Sequence, residues 1–257
     1  MPEMASYPPG AFCWPELVSA DMAAARAFYG GMFDWGAEEV PGGSYAIFQK
    51  GGKDVAGLRA LAPEQIAQGI PPCWVLYVAV ASADESASQV PDFGGRVIAP
   101  PFDVPNIGRM AFVQDPSGGV IALWQAGAHH GAGLVDETGT LCWVELNTRD
   151  VDAARPFYKG LFGWSAAEMS MGGSGYTIFS LGEKPVAGMM DMTGKVPAIV
   201  PPHWLPYFAV EDCDGALSRA CDQGAQNLAG PMDVPGVGRF AVLKDPQGAT
   251  FAVIRLG

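Results

Sequence analysis

Two short stretches of this sequence carry the same pair of chemically able side chains. Trp14 and Glu16 stand in Phe12-Cys13-Trp14-Pro15-Glu16-Leu17, and Trp143 and Glu145 in Leu141-Cys142-Trp143-Val144-Glu145-Leu146. Both read as short apolar strands, in which alternation sets the indole and the carboxylate on one face. A carboxylate on an apolar surface is costly unless it is paired or hydrogen-bonded. Glu16 and Glu145 are therefore candidate general bases, or anchors for a ligand hydroxyl or amine. The competing reading is a structural ion pair, with Arg109 and Arg239 as available partners. Each of those arginines follows a Val-Pro-x-x-Gly loop and could instead hold a substrate carboxylate through a bidentate contact.

A second group of candidates is aromatic: Tyr45, Trp74, Tyr77 and Trp124, then Tyr176, Trp204 and Tyr207. Such rings stack on a planar ligand and orient it with a hydroxyl or an indole N–H, or they simply fill a core. Met169, Met171, Met189, Met190 and Met192 add adaptable apolar surface. His203, at the start of a strand beside Trp204, is a candidate pocket-lining imidazole. His129 and His130 fall in a Gly- and Ala-rich segment, where a surface or hydrogen-bonding role is expected. Cys13 and Cys142 alternate with the tryptophans and read as inert packing residues. The five cysteines are odd in number and form no CxxC pair, so neither a disulfide framework nor a zinc knuckle is expected, and a reducing cytoplasm fits. No Ser-His-Asp set, phosphate loop or dinucleotide fingerprint is apparent.

The elements that must position these residues are repeated. At an offset of 129, Asp21, Ala24, Ala25, Arg26, Phe28, Tyr29, Phe33 and Trp35 recur as Asp150, Ala153, Ala154, Arg155, Phe157, Tyr158, Phe162 and Trp164. Val55-Ala56-Gly57, Pro71-Pro72-Cys73-Trp74 and Asp115-Pro116-Ser117-Gly118 reappear as Val186-Ala187-Gly188, Pro201-Pro202-His203-Trp204 and Asp245-Pro246-Gln247-Gly248. The chain thus divides into a first domain over 1–126, a linker over 127–139 and a second domain over 140–257. Within each domain a strand leads to an Asp suited to capping a helix, after Asp21 and again after Asp84, and three strands follow. The order β, α, β, β, β runs four times, an α+β class.

Four βαβββ modules, an FY near the end of each domain's first helix, an FGW-like sequence after it and a DPxG hairpin before the last strand resemble the vicinal oxygen chelate superfamily. That superfamily comprises the glyoxalases, bleomycin resistance proteins and extradiol dioxygenases. Trp-x-Glu-Leu, Val-Ala-Gly-(Leu/Met), Pro-Pro-x-Trp and Asp-Val-Pro-x-(Ile/Val)-Gly-Arg resemble more closely its tandem two-domain group, whose members are called glyoxalase-like or hydroxylases. The resemblance implies curled mixed sheets around clefts, with metal ligands on the first and last strand of each module. The positions it implies for those ligands hold Trp14, Trp143, Ala122 and Ala252, which supply no donor a divalent cation accepts. No metal and no cofactor are therefore expected. Single-domain relatives often complete a cleft by dimerising; here duplication can do so within one chain, as a monomer or a homodimer.

Composition narrows the partners. The 257 residues are 49% hydrophobic and 16% charged, which excludes a disordered polymer. A net charge of −12 argues against a phosphate backbone or an anionic membrane surface. The first ten residues do not read as a secretory signal, and no stretch reaches the ~20 apolar residues of a membrane helix. The expected partner is a small, apolar, aromatic or polyketide-like molecule. The expected function is its metal-free binding, for sequestration as in drug resistance or as an accessory to secondary metabolism. The alternative is a glyoxalase-like lyase, or a cofactor-free oxygenase or isomerase with a cleft glutamate as base.

Overall fold

In the computed structural model, which describes residues 3–171 and 174–257 (170, 171 and 174 by backbone alone), each quarter of the chain builds one strand, one helix and three more strands. The first quarter holds β1 (Phe12–Ser19), α1 (Met22–Phe33), β2 (Gly36–Glu39), β3 (Tyr45–Lys50) and β4 (Lys53–Ala60), then a short connecting helix, α2 (Pro63–Ala67). The second holds β5 (Cys73–Ala79), α3 (Ala83–Gln89), β6 (Arg96–Val104), β7 (Gly108–Gln114) and β8 (Val120–Ala126). The third holds β9 (Leu141–Thr148), α4 (Val151–Phe162), β10 (Ser165–Met171), β11 (Ser174–Leu181) and β12 (Lys184–Asp191). The fourth holds β13 (His203–Ala209), α5 (Cys213–Asp222), β14 (Gln226–Val234), β15 (Gly238–Lys244) and β16 (Thr250–Leu256). The α+β architecture of four repeated modules is the one that forms.

Paired modules share a sheet. The first half makes an eight-stranded sheet of order β2-β3-β4-β1-β5-β8-β7-β6, and the second half repeats it as β10-β11-β12-β9-β13-β16-β15-β14. The first strand of each module lies parallel to its last, and the two first strands meet antiparallel at the sheet centre.

The helices form where the spacing puts them. Asp21 accepts from the backbone N–H of Ala24 and caps α1, which buries Ala25, Phe28, Tyr29, Met32 and Phe33 along one stripe. Asp34, in the left-handed region at φ 58°, closes it. Asp84 corrects the expectation: Ser82 caps α3 through its hydroxyl, and Asp84 stands in the first turn.

The helix-bearing faces of the two sheets pack against each other, and one core runs through both halves, including Leu17, Phe48 and Trp74 from the first and Phe157, Trp204, Phe208 and Phe251 from the second. The polar contacts across it are reciprocal. Tyr158 Oη donates to Asp115 Oδ2 at 2.6 Å, and Tyr29 Oη to Asp245 Oδ2 at 3.0 Å. Trp204 Nε1 donates to Tyr158 Oη and Trp74 Nε1 to Tyr29 Oη. Each Asp of the two DPxG hairpins thus gathers its own turn's N–H groups on Oδ1 and a tyrosine of the other half on Oδ2. Trp35 and Trp164, the tryptophans after the first helices, donate to the carbonyls of Gly139 and Gly10, each just before the other half's first strand. Replacing Asp115 with alanine leaves a buried phenol and several turn N–H groups unpartnered. Chemical denaturation should show a loss of about 2–3 kcal/mol, with Asp245→Ala costing a similar amount.

A candidate ligand-binding face on the second half

Strand parity sorts the candidate residues between the two faces of each sheet. In the first half Trp14 lies opposite Tyr77, and Glu16 opposite Val75 on β5 and Gly57 on β4, whereas Trp74 pairs with Leu17 and turns into the shared core. In the second half Trp143 lies opposite Tyr207, and Glu145 opposite Leu205, whereas Trp204 pairs with Leu146. Trp74 and Trp204 thus depart from the expectation that they line a cleft: each sits an odd number of residues from the tyrosine that does face the helix-free side. Arg109 and Arg239 depart for the same reason, since Met110 and Phe240 take the helix-free side. Arg109 grips Asp84 and Asp103, and Arg239 grips Asp214 and Asp233, at 2.7–2.9 Å. Neither reaches a glutamate of the Trp-x-Glu pair. The fork binds helix to hairpin on the outside of the core.

Trp14, Glu16, Tyr45, Tyr77 and Trp124 do gather on the helix-free face of the first half, but the chain itself buries all of them except Tyr45, which stays part-exposed. Residues 127–135, after β8, fold back across this face. The backbone N–H groups of Gly127 and His129 bond the carbonyl of Ile107, that of Ala132 bonds Cys13 and that of Gly133 bonds Asp54. The His129 ring stands edge-on to Trp14 with centroids 4.5 Å apart, and Trp124 Nε1 donates to the His129 carbonyl. The N-terminal segment closes over the strap: Met4 N–H bonds the Gly133 carbonyl, and Tyr7 Oη donates to Ala132 at 2.7 Å. Burial lowers the His129 pKa, so its ring is held as a neutral packing group. Cys13 joins Trp14 in this cluster because a bulge between Phe12 and Trp14 breaks the alternation. Beneath the strap Trp14 is only 4% exposed.

No described residue straps the second half in this way. Trp143, Cys142, Tyr176, His203 and Phe240 are all part-exposed there, around buried Leu205, Tyr207, Ala252 and Ile254. Met190 lies on this face and Met169 is 51% exposed beside Tyr176, whereas Met189 and Met192 are buried and the side chain of Met171 lies outside the described residues. Burial pushes the Cys142 thiol up to about 12, which leaves it inert.

Glu145 is the centre of this face. It is 6% exposed and accepts from Tyr207 Oη and from Asn147 Nδ2, each at 3.2 Å, with Tyr176 also in hydrogen-bonding reach. Trp143 Nε1 donates in turn to Tyr176 Oη at 3.1 Å. A Cβ on Gly188 would run into that tyrosine hydroxyl, so only glycine lets Tyr176 cross the sheet to the indole. The same net exists in the first half with two changes, the first being that Val18 stands where Asn147 does and donates nothing. The second is that Arg59 Nε donates to Glu16 Oε1 at 3.1 Å, and Met190 occupies the position of Arg59 in the second half. Glu16 is therefore the ion-paired glutamate, with Arg59 as its partner, and Glu145 has neutral donors only. Burial raises the Glu145 pKa above the ordinary glutamate value against the lowering pull of those hydrogen bonds and of Lys195. Such a carboxylate is a stronger hydrogen-bond acceptor and base than an ordinary one.

Three of these parts are silent in the residue-type reading. Arg59 and Asn147 follow from parity, two residues beyond Gly57 and Glu145, but nothing marks them as ligands of the glutamates. The strap's role is hidden in a segment without periodicity.

A divalent metal does not fit the residues present. The central positions of the four inner strands carry indole, glycine, phenol and alanine beside a single carboxylate, and among the described residues no group of three His, Cys, Asp or Glu side chains is gathered as a metal would need. Yet the architecture, duplicated βαβββ modules paired into curled sheets, defines a well-populated class. The model of the glyoxalase/bleomycin resistance protein/dioxygenase superfamily matches residues 12–123 and 140–253. The chain belongs to that superfamily. CFP32 of Mycobacterium tuberculosis, provisionally named a glyoxylase, is 41% identical over 262 residues, covering 99% of this chain and 98% of its own. The anthracycline biosynthesis protein DnrV of Streptomyces peucetius is 38% identical over 266 residues, covering 98% and 96%. Among solved structures, the 2,3-dioxygenase LapB of Pseudomonas sp. KL28 superposes with a TM-score of 0.65 at 13% identity, covering 96% of this chain and 92% of that one. The Mn(II)-bound glyoxalase of Novosphingobium aromaticivorans gives 0.64 at 15%, covering 96% and 82%. These last two likenesses are of fold. No helix among the described residues is long and apolar enough to cross a membrane.

Proposed function

We propose that this protein binds an apolar, aromatic, polyketide-like small molecule on the helix-free face of its second half, without a metal, and serves sequestration or an accessory step of secondary metabolism. The observation that carries this reading is the asymmetry of the two faces. Trp14 and Met110 are buried beneath residues 127–135, while Trp143 and Phe240, at the equivalent places, stand part-exposed around Glu145. The indole and phenol rings offer stacking area, and Glu145 offers a single strong acceptor. The name of the Streptomyces relative, an anthracycline biosynthesis protein, is in keeping with a polycyclic aromatic ligand.

Titration with an anthraquinone, followed by tryptophan quenching and calorimetry, should give one site per chain. Trp143→Ala should weaken it at least tenfold and Trp14→Ala less than twofold. Two equal sites, or a site lost with Trp14, would overturn the assignment to the second half.

A second reading is favoured by Glu145 itself: a cofactor-free isomerase or lyase in which its carboxylate takes a proton from carbon. It predicts turnover that is lost in Glu145→Gln while binding persists. Binding without any turnover leaves sequestration as the function.

A further inference from the structure

The geometry points to a hydroxylated aromatic as the ligand class, one that presents two hydroxyl donors to two adjacent acceptors, Glu145 and His203. This deepens the binding role proposed above and rests on it.

His203 opens β13 directly opposite Asn147 of β9, and Leu205 lies opposite Glu145. His203 and Glu145 are therefore diagonal neighbours on one face, with Cα atoms on the order of 7–8 Å apart. His203 Nδ1 lies 2.9 Å from the carbonyl oxygen of Pro201. A carbonyl oxygen only accepts, so Nδ1 carries the hydrogen and donates it, which leaves Nε2 with its lone pair. No described residue bonds Nε2. Burial lowers the His203 pKa, which keeps the ring neutral in that tautomer. Glu145, for its part, draws the hydroxyl hydrogen of Tyr207 and an amide hydrogen of Asn147, with the Tyr176 hydroxyl in reach and shared with Trp143, and no arginine reaches it. Both groups facing the ligand thus ask for hydrogens. The first half lacks the pair: Cys73 stands where His203 does, Val18 where Asn147 does, and Arg59 satisfies Glu16. An apolar ring on Trp143 with hydroxyls along one edge answers both acceptors, while an ether or plain hydrocarbon of the same outline answers neither.

The probes are 2,3-dihydroxynaphthalene and 2,3-dimethoxynaphthalene, alike in outline and different in donors, titrated into the full chain by calorimetry, with Trp143→Phe as the check on location. The diol should bind at least tenfold tighter than the diether. His203→Leu and Glu145→Gln should each cut that ratio at least threefold while leaving the diether's affinity within twofold, which also shows that the variants fold. Equal affinities in the unaltered protein would overturn the acceptor pair and leave the apolar binding face standing. If neither compound binds at the second half, the binding role falls with it.

Discussion

Met190→Arg is expected to give the second half's glutamate the arginine partner that the first half's has, and to reduce the loss of stability that Glu145 causes as pH rises. Met190 pairs with Tyr176 on β11 and with Asn147 on β9, as Arg59 pairs with Tyr45 and Val18, so an arginine there meets Glu145 from the same strand position. In the unaltered protein, burial holds the Glu145 carboxyl above the ordinary glutamate pKa. A carboxyl whose folded pKa exceeds its unfolded value stabilises the fold at low pH, and that contribution is lost as pH rises from the unfolded value through the folded one. An arginine partner opposes that rise, so less of the contribution is lost as pH climbs. Urea denaturation of the two proteins should therefore show Met190→Arg gaining relative to the parent by ~1–2 kcal/mol between pH 4 and pH 7. The reciprocal change, Arg59→Met, removes the cation from a nearly buried carboxylate and should cost about 2–3 kcal/mol at pH 7, below the value for a fully buried pair because Arg59 is part-exposed. Met190→Arg should also bring the diol's affinity down toward that of the diether, since Glu145 no longer needs the ligand's hydrogen. A stability difference independent of pH would show that Glu145 titrates normally.

Much of this architecture is legible in the residue order. A repeat contains its own alignment, so Asp21 and Asp150 and Phe28-Tyr29 and Phe157-Tyr158, at an offset of 129, and the two DPxG hairpins, at 130, declare the modules before any coordinate is known. Trp14 with Glu16, and Trp143 with Glu145, share a face because a strand's period is 2. The same period, applied to β5 and β13, would have separated Trp74 from Tyr77 and Trp204 from Tyr207, since three residues is an odd step. It would also have set Arg109 and Met110 on opposite faces. What residue types do not carry is which group satisfies a buried carboxylate. Arg59 and Met190 occupy equivalent places, and only the register between β1 and β4 shows that one neutralises Glu16 and the other leaves Glu145 to neutral donors. The strap is illegible for a different reason. Its hold comes from backbone hydrogen bonds to Cys13, Asp54 and Ile107, which any sequence can make, and from one imidazole whose partner is more than a hundred residues away.

Gly131→Ala should release that strap and turn a protein with one binding site into a protein with two. Gly131 has φ +121°, a conformation essentially reserved for glycine, and its missing Cβ faces the Cys13 carbonyl, with the Tyr7 ring 2.9 Å away. A methyl group therefore meets backbone strain and backbone overlap together, a local cost on the order of 1–3 kcal/mol. Residues 127–135 lie outside the strands and contribute little to the shared core, so this cost falls on the strap's own attachment rather than on the fold. Detachment exposes Trp14 and Trp124, and acrylamide quenching of tryptophan fluorescence should rise while the denaturation midpoint of the core changes little. The uncovered face presents Trp14, Tyr45 and Tyr77 beside a glutamate already paired with Arg59. The second site should therefore take the diether about as well as the diol, unlike the site at Trp143. His129→Ala with Tyr7→Ala, which loosens the cover without straining the backbone, should act in the same direction more weakly. A Gly131→Ala protein that stays folded, binds one equivalent and shows unchanged quenching would mean that the strap is an integral wall of the first half.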